Sequence, residues 1–158
     1  IFKDMIQSHA MAILYYLVPY IFDIDNLDNM VINEIIKGQY KEYGGDISTD
    51  TYLKINLTCN GTNIILEAGK GLANDNKSII INNKIIEITS DSSEYKSLFQ
   101  DALNHDKSKY LDINKLTKFW LVSQYLWERI EKAPMITYKE GSHPLINNSK
   151  NQSNYLFI

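Results

Sequence analysis

The 158-residue chain is predicted to fold as an α+β domain: an open, mainly antiparallel β-sheet with helices packed on one face. Three observations predict this class. The hydrophobic periodicity reads as one helix, then a run of short strands, then two helices, and not as an alternation of strand and helix. The strands are joined by hairpin signals, Asn60-Gly61 and Asn82-Asn83-Lys84, which make sequence neighbours antiparallel. No G-x-G-x-x-G follows a strand, so the fingerprint of a doubly wound nucleotide-binding fold is missing.

The elements follow in order. Asp4 to Val18 is expected to be helical, because Ile6, Ala10, Ile13, Leu14 and Leu17 form one apolar stripe; Pro19 ends it. Asp23 to Asn29 is acidic, amide-rich and expected to be a loop. Val31 to Tyr43 reads as a strand closed by Gly44-Gly45-Asp46. Thr51 to Thr58 alternates, with Leu53, Ile55 and Leu57 on one face and Tyr52, Lys54 and Asn56 on the other. Asn63 to Ala68 is its return strand, and Ser78 to Ile81 pairs with Ile85 to Thr89. Ser92 or Ser93 caps a helix reaching about Asn104, with Tyr95, Leu98, Phe99, Ala102 and Leu103 inward. Asp112 caps a longer one to about Lys132, with Leu116, Phe119, Trp120, Trp127 and Ile130 on its stripe, and Pro134 stops it. From Gly141 the tail is polar except for Tyr155 to Ile158.

Composition bounds the function. A hydrophobic share of 44% over this length suffices for one domain, residues 1–158, with a real core. The net charge is −3 and the basic residues are dispersed, which argues against a nucleic-acid surface. One cysteine, Cys59, permits no disulfide within the chain and suits a reducing, cytoplasmic setting. No apolar run reaches the ~18 residues that span a bilayer. Ala10 to Phe22 comes nearest, but Pro19 and several tyrosines interrupt it and no cleavage signal frames it, so it reads as a core helix and no membrane is expected. The chain opens at Ile1 in residues that already read as structured, which points to missing sequence upstream.

Chemistry concentrates in Lys3-Asp4-Met5-Ile6-Gln7-Ser8-His9. Histidine is the natural proton acceptor near neutral pH. On an α-helix Asp4 and His9 stand about 140° apart, too far around the axis for one to orient the other. On the residues alone, a single histidine beside an apolar stripe reads first as structural or solvated. Lys70 follows a strand between Gly69 and Gly71, where the backbone permits close approach; taken alone it is a solvated turn lysine. His105 and His143 fall in polar turns and are expected at the surface, and with one cysteine and no close His/Asp spacing no metal site is expected.

A resemblance changes the weighting. Asp4-Met5-Ile6-Gln7-Ser8-His9 resembles the D-(M/V)-(I/M)-Q-N-H motif of glucose-6-phosphate dehydrogenases, departing only at Ser8. Others follow in that family's order. Gly38-Gln39-Tyr40 resembles G-Q-Y, and Ser48 to Tyr52 resembles S-x-T-x-T-(F/Y). Ala68-Gly69-Lys70-Gly71-Leu72 resembles R-(A/C/S)-G-K-x-L. Tyr95, Leu98, Asp101, Ala102 and Leu103 resemble the Y-x-x-L-x-x-D-(A/V)-(L/F) helix, Phe119-Trp120 falls where the family has A-W, and Tyr138 to Ser142 with Pro144 resembles Y-x-x-G-S-x-G-P. The ordered set spans Lys3 to Pro144.

The resemblance implies the C-terminal, substrate and dimerisation domain of such an enzyme. It implies oxidation of glucose 6-phosphate to 6-phosphogluconolactone with hydride transfer to NADP. It makes His9 the general base and Asp4 and Lys70 substrate ligands, with a second basic contact assigned to Lys77 across a small insertion, because the equivalent position holds Asp75. It also implies a homodimer. The family's Rossmann domain and its R-I-D-H-Y-L-G-K motif have no counterpart here, so the cofactor-binding residues and the usual acidic partner of the histidine would come from a missing domain or a separate chain. The R-W-x-G-V-P segment is reduced to Asn60-Gly61-Thr62-Asn63, the R-x-Q-P strand has no match near Ile85 to Thr89, and Glu67 replaces an arginine. Two other readings remain. One is the C-terminal domain of another sugar dehydrogenase, of the glucose–fructose oxidoreductase or inositol dehydrogenase type, whose D-x-x-x-H spacing is one residue shorter. The other is a non-catalytic binding or dimerisation module derived from this fold.

Overall fold

The computed structural model describes residues 1–144 apart from 47, 74–76, 88–93, 108–109 and 111. Its centre is a six-stranded sheet in the order β5-β4-β3-β2-β1-β6. The strands are β1 (Met30–Tyr40), β2 (Tyr52–Cys59), β3 (Thr62–Gly69), β4 (Lys77–Ile81), β5 (Lys84–Glu87) and β6 (Met135–Tyr138). All neighbouring pairs are antiparallel except β1 with β6. The α+β class with an open, mainly antiparallel sheet is what the periodicity predicts.

Both tight hairpins form for the predicted reason. Asn60 and Gly61 sit at φ 48° and 77°, and Asn82 and Asn83 at 46° and 67°. Two successive positive φ values give the turn whose twist matches the strands, and Asn and Gly tolerate them best. These turns set the registers Cys59↔Thr62 and Ile81↔Lys84.

Alternation then sorts the faces. Leu53, Ile55, Leu57 and Cys59 of β2, with Ile64, Leu66 and Ala68 of β3 and Ile79 of β4, are buried in one core. The lid of that core is helical: a nine-residue π-helix (Phe2–Ala10), α1 (Met11–Leu17) and α3 (Ile113–Ile130). Phe2, Ile6, Ala10, Met11 and Leu14 face inward from the first two, and Phe119, Val122, Leu126 and Ile130 from the third. Lys37, which β1 directs to this same side, spends its charge on the last turn of α3, donating to the carbonyl of Ile130 at 3.2 Å. Such carbonyls lack helical partners and carry the negative end of the helix dipole.

Several expectations shift. The first helix is π-wound over about the first half of its predicted length, and the 23–29 region forms a 3₁₀ turn (Ile24–Asn29) in place of a plain loop. Leu17 is exposed, and Val18 and Ile21 fill its place in the core. In α2 (Glu94–Leu103), Phe99, Ala102 and Leu103 are exposed and not inward, and so is Trp120 of α3. Amphipathic spacing marks a stripe but not what covers it. The predicted caps Ser92 and Ser93, the end of the second hairpin at Ile88 and Thr89, and the apolar segment Tyr155 to Ile158 lie outside the described residues. Asp112 caps α3 as expected, accepting from the Lys115 amide at 2.9 Å. Strand β6, beyond Pro134, has no periodic signal because it is four residues long.

Ile55 is fully buried between Ile35 of β1 and Leu66 of β3. Ile55→Ala is expected to lower unfolding free energy by about 2–5 kcal/mol, through lost burial and a residual cavity. Urea titration checks this, and a loss below about 1 kcal/mol would contradict the core described.

Candidate functional site

The π-helix changes the relation between Asp4 and His9. Its backbone bonds skip one residue more than in an α-helix: the Met11 amide reaches back to the Ile6 carbonyl and the Ile6 amide to that of Ile1. Residues five apart therefore lie nearly one above the other, as residues four apart do on an α-helix. Asp4 and His9 are five apart, so they share one face, contrary to the 140° separation an α-helix would impose. The Ser8 hydroxyl donates to the Asp4 carbonyl, within the same turn. His9 is exposed.

The π-helix packs against β3 and β4. That contact carries Asp4 to the end of β3, where Lys70 emerges. The Lys70 Nζ lies 3.4 Å from Asp4 Oδ2, joining two residues 66 positions apart. The side chains are 58% and 66% exposed. An ion pair so open to water adds little to stability, which leaves both groups available to a ligand. Lys77 stands on β4 with its backbone opposite Ala68, two residues before Lys70. Its side chain, like Asp75, is outside the described residues.

The turn bearing Lys70 is tightly built. Gly71 has φ 64°, and a Cβ there would lie 2.8 Å from the Tyr40 ring. A Cβ on Gly69 would meet Leu72 at 2.6 Å and Tyr52 at 2.9 Å. Both glycines of the Gly-Lys-Gly sequence are thus required by space, and Gly71 by conformation as well.

Beside this turn the far face of the sheet holds a second, smaller core of Ile36, Tyr52 and Tyr138. Tyr52 donates to Glu67 Oε1 at 2.6 Å, and His143 Nε2 lies 3.0 Å from the same oxygen. The Tyr52 and His143 rings also meet edge to face, with centroids 5.8 Å apart. His143 is therefore partly buried and engaged, not a plain surface residue. His105, at φ 55°, ends α2 in the left-handed turn conformation that glycine usually supplies. No short-range pattern announces the Tyr52–Glu67–His143 group, because its members are brought together only by strand pairing and the chain's return along β6.

Burial, and then the Glu67 hydrogen bond and charge, push the Tyr52 hydroxyl well above the usual tyrosine range; burial raises Tyr138 as well. Burial likewise raises the Cys59 thiol.

Two hollows flank α3. One of about 450 Å³ is lined by Lys37, Ser48, Asp50, Trp127, Ile130 and Glu131. Another, about 160 Å³, lies between the π-helix and α3 and is walled by Lys3, Gln7, Trp120 and Trp127. Neither includes Asp4, His9 or Lys70, all three of which are exposed, Asp4 and Lys70 being paired. Among the described residues, no three His, Cys, Asp or Glu side chains cluster to hold a metal ion, and no helix is long and apolar enough to cross a membrane.

No family model matches the sequence, and no curated protein does. Among solved structures, the chain is similar to glucose-6-phosphate 1-dehydrogenase from Mycobacterium avium, at a TM-score of 0.60 and 16% identity. The likeness covers 90% of this chain and 47% of that one, so this chain spans about half the length of its structural neighbour. The shared fold is the one the ordered motifs imply for a shortened domain.

Stability is expected to hold from neutral pH to about pH 8, to decline slightly as the unfolded cysteine ionises, and to fall steeply above about pH 10, where unfolded tyrosines ionise. A raised folded-state value stabilises the neutral form, so this contribution is complete below the unfolded value and is lost as pH rises beyond it. Urea midpoints between pH 7 and 11, for the native sequence and Tyr52→Phe, check this; an equally steep alkaline decline in the variant would exclude Tyr52 as a cause.

Proposed function

We propose that this chain is the substrate-side domain of a glucose-6-phosphate dehydrogenase, oxidising glucose 6-phosphate to 6-phosphogluconolactone with NADP as hydride acceptor. The observation that carries the reading is the pairing of Asp4 with Lys70 at 3.4 Å, with His9 one π-turn beyond Asp4 on the same face. A carboxylate, an ammonium and an imidazole then converge from two elements distant in sequence, in the motif order of that family. The likeness in fold supports it.

The chemistry divides accordingly. Oxidation at the anomeric carbon needs the O1 proton removed as hydride leaves C1, and His9 takes that proton. Lys70 supplies a cation for a sugar-phosphate oxygen, and Asp4 accepts from a sugar hydroxyl once Lys70 turns to the substrate. Lys77 adds a second positive charge. Gly69-Lys70-Gly71 follows an antiparallel strand and opens no helix, so this turn offers no helix N-terminal amides to a pyrophosphate. The hydride acceptor is held by another domain, joined or separate. That domain also supplies the opposite wall of a site which is here an open surface, since ligand sites enclose most of what they bind.

The far face of the sheet suits a second copy of the chain. Ile65, Ile80 and Ile85 share that face by register, and Ile85 is 62% exposed. We therefore expect a homodimer in the cytoplasm. One observation favours a second reading, a non-catalytic binding or dimerisation module: the candidate residues lie exposed on an open surface of this chain.

The test is dehydrogenase activity on glucose 6-phosphate in the longest natural protein containing these residues, followed by NADPH absorbance. His9→Asn is expected to lower kcat about 10²–10⁴-fold with folding intact, the usual worth of a general base. Absence of turnover with any hexose phosphate and either nucleotide, despite an intact upstream nucleotide domain, would sink the enzyme reading and leave the module.

A further inference from the structure

We infer that Tyr138 is a positioning residue for Lys70, so that strand β6 is a working wall of the candidate site. The inference rests on the reading of Lys70 as a substrate ligand.

Lys70 is exposed at its tip, but its backbone is held on both sides of the Cα. Its amide donates to the Thr51 carbonyl at 2.8 Å. Its carbonyl accepts from the Tyr138 hydroxyl at 2.6 Å. The direction of the remaining bonds follows from counting protons. A carbonyl only accepts, so the single hydroxyl proton of Tyr138 is committed to Lys70. The 2.9 Å contact between Tyr138 Oη and Thr51 Oγ1 then has Thr51 as donor, the other acceptor of that hydroxyl, the Gly38 carbonyl, lying farther off at 3.5 Å. Thr51 Oγ1 in turn accepts from the Tyr40 amide at 3.0 Å. A one-way chain thus runs from Tyr40 through Thr51 and Tyr138 to Lys70. Thr51 and Tyr138 are buried, and bonds in such a chain polarise one another away from competing water.

A second tie closes the frame. The Gly141 amide, three residues after Tyr138, donates to the Gly71 carbonyl at 2.8 Å. The Gly69-Lys70-Gly71 turn is therefore fastened at its last two carbonyls to the final residue of β6 and to the segment that follows it, and at the Lys70 amide to the residue that precedes β2. A lysine side chain has many rotamers, so a fixed root is what converts it from a mobile charge into a ligand with a defined reach. The hydroxyl of neighbouring Tyr52, by contrast, goes to Glu67 and not to this turn, which makes it the matched control.

The experiment uses the natural protein containing these residues, with Tyr138→Phe, Tyr52→Phe and Thr51→Val. Two readouts are needed. Amide hydrogen exchange is expected to accelerate at least about tenfold in the peptide bearing Lys70 and Gly71 in Tyr138→Phe, with the β2–β3 core unchanged and Tyr52→Phe silent there. The KM for glucose 6-phosphate is expected to rise about tenfold with kcat within about twofold, because binding and not chemistry is weakened. If Tyr138→Phe does not fold, Thr51→Val breaks the chain one link earlier and is read the same way. Unchanged exchange at Lys70 in a folded variant overturns the inference. So does accelerated exchange with an unaltered KM. Accelerated exchange in a protein that turns over no sugar phosphate upholds the frame and overturns only the function assigned to Lys70.

Discussion

Burial of one face of the β2–β3 hairpin is the constraint from which the rest follows. Leu53, Ile55, Leu57, Ile64 and Leu66 present a continuous apolar surface that water must not reach, and the π-helix, α1 and α3 are the elements that cover it. At about 25 cal/mol per Å² of apolar area, this is the dominant favourable contribution to such a fold. It also fixes geometry. The π-helix lies where it does because Phe2, Ile6 and Ala10 seek that surface, and its opposite side, carrying Asp4, consequently lands beside the turn after β3. The candidate site is thus a by-product of core packing, placed at the rim where a covered strand gives way to an exposed turn.

The far face of the sheet obeys different rules. It is held by polar pairs, such as Lys54 with Glu34 at 3.0 Å and Asn33 with Thr58 at 2.9 Å, and by a small aromatic core of Tyr52, Tyr138 and Tyr40. Buried hydroxyls demand partners, and the two buried tyrosines have them: Tyr52 in Glu67, Tyr138 in Thr51 and Lys70. Specific connections are therefore concentrated on the face with the smaller apolar core. Glu67, which stands where the resembling family has arginine, is satisfied locally by Tyr52 and His143, so its departure from the motif has a structural counterpart.

Much of the fold was legible for local reasons. Asn60-Gly61 and Asn82-Asn83 demand turns of one hand, alternation from Tyr52 to Thr58 sorts residues to two faces, and Asp112 is a helix cap by its own chemistry. Signals failed where they depend on what lies opposite. Phe99 and Leu103 form a proper apolar stripe, yet α2 leaves them exposed. Four residues at 135–138 carry too little periodicity to declare a strand, although β6 completes the sheet and fastens Lys70. The motif order selected Asp4, His9 and Lys70, but motif order says nothing of distance.

By itself, then, the sequence determined the class, the hairpins, the inner face of the sheet and the side chains capable of acid–base chemistry, because each depends on neighbours within a few residues. Only the tertiary structure decided that Asp4 meets Lys70, that π winding turns Asp4 and His9 to one side, and that Tyr138 and His143 return to the end of β3. The first and last of those outcomes rest on contacts across 66 to 87 positions, where the deciding quantity is how buried surfaces fit together, and no local periodicity records it.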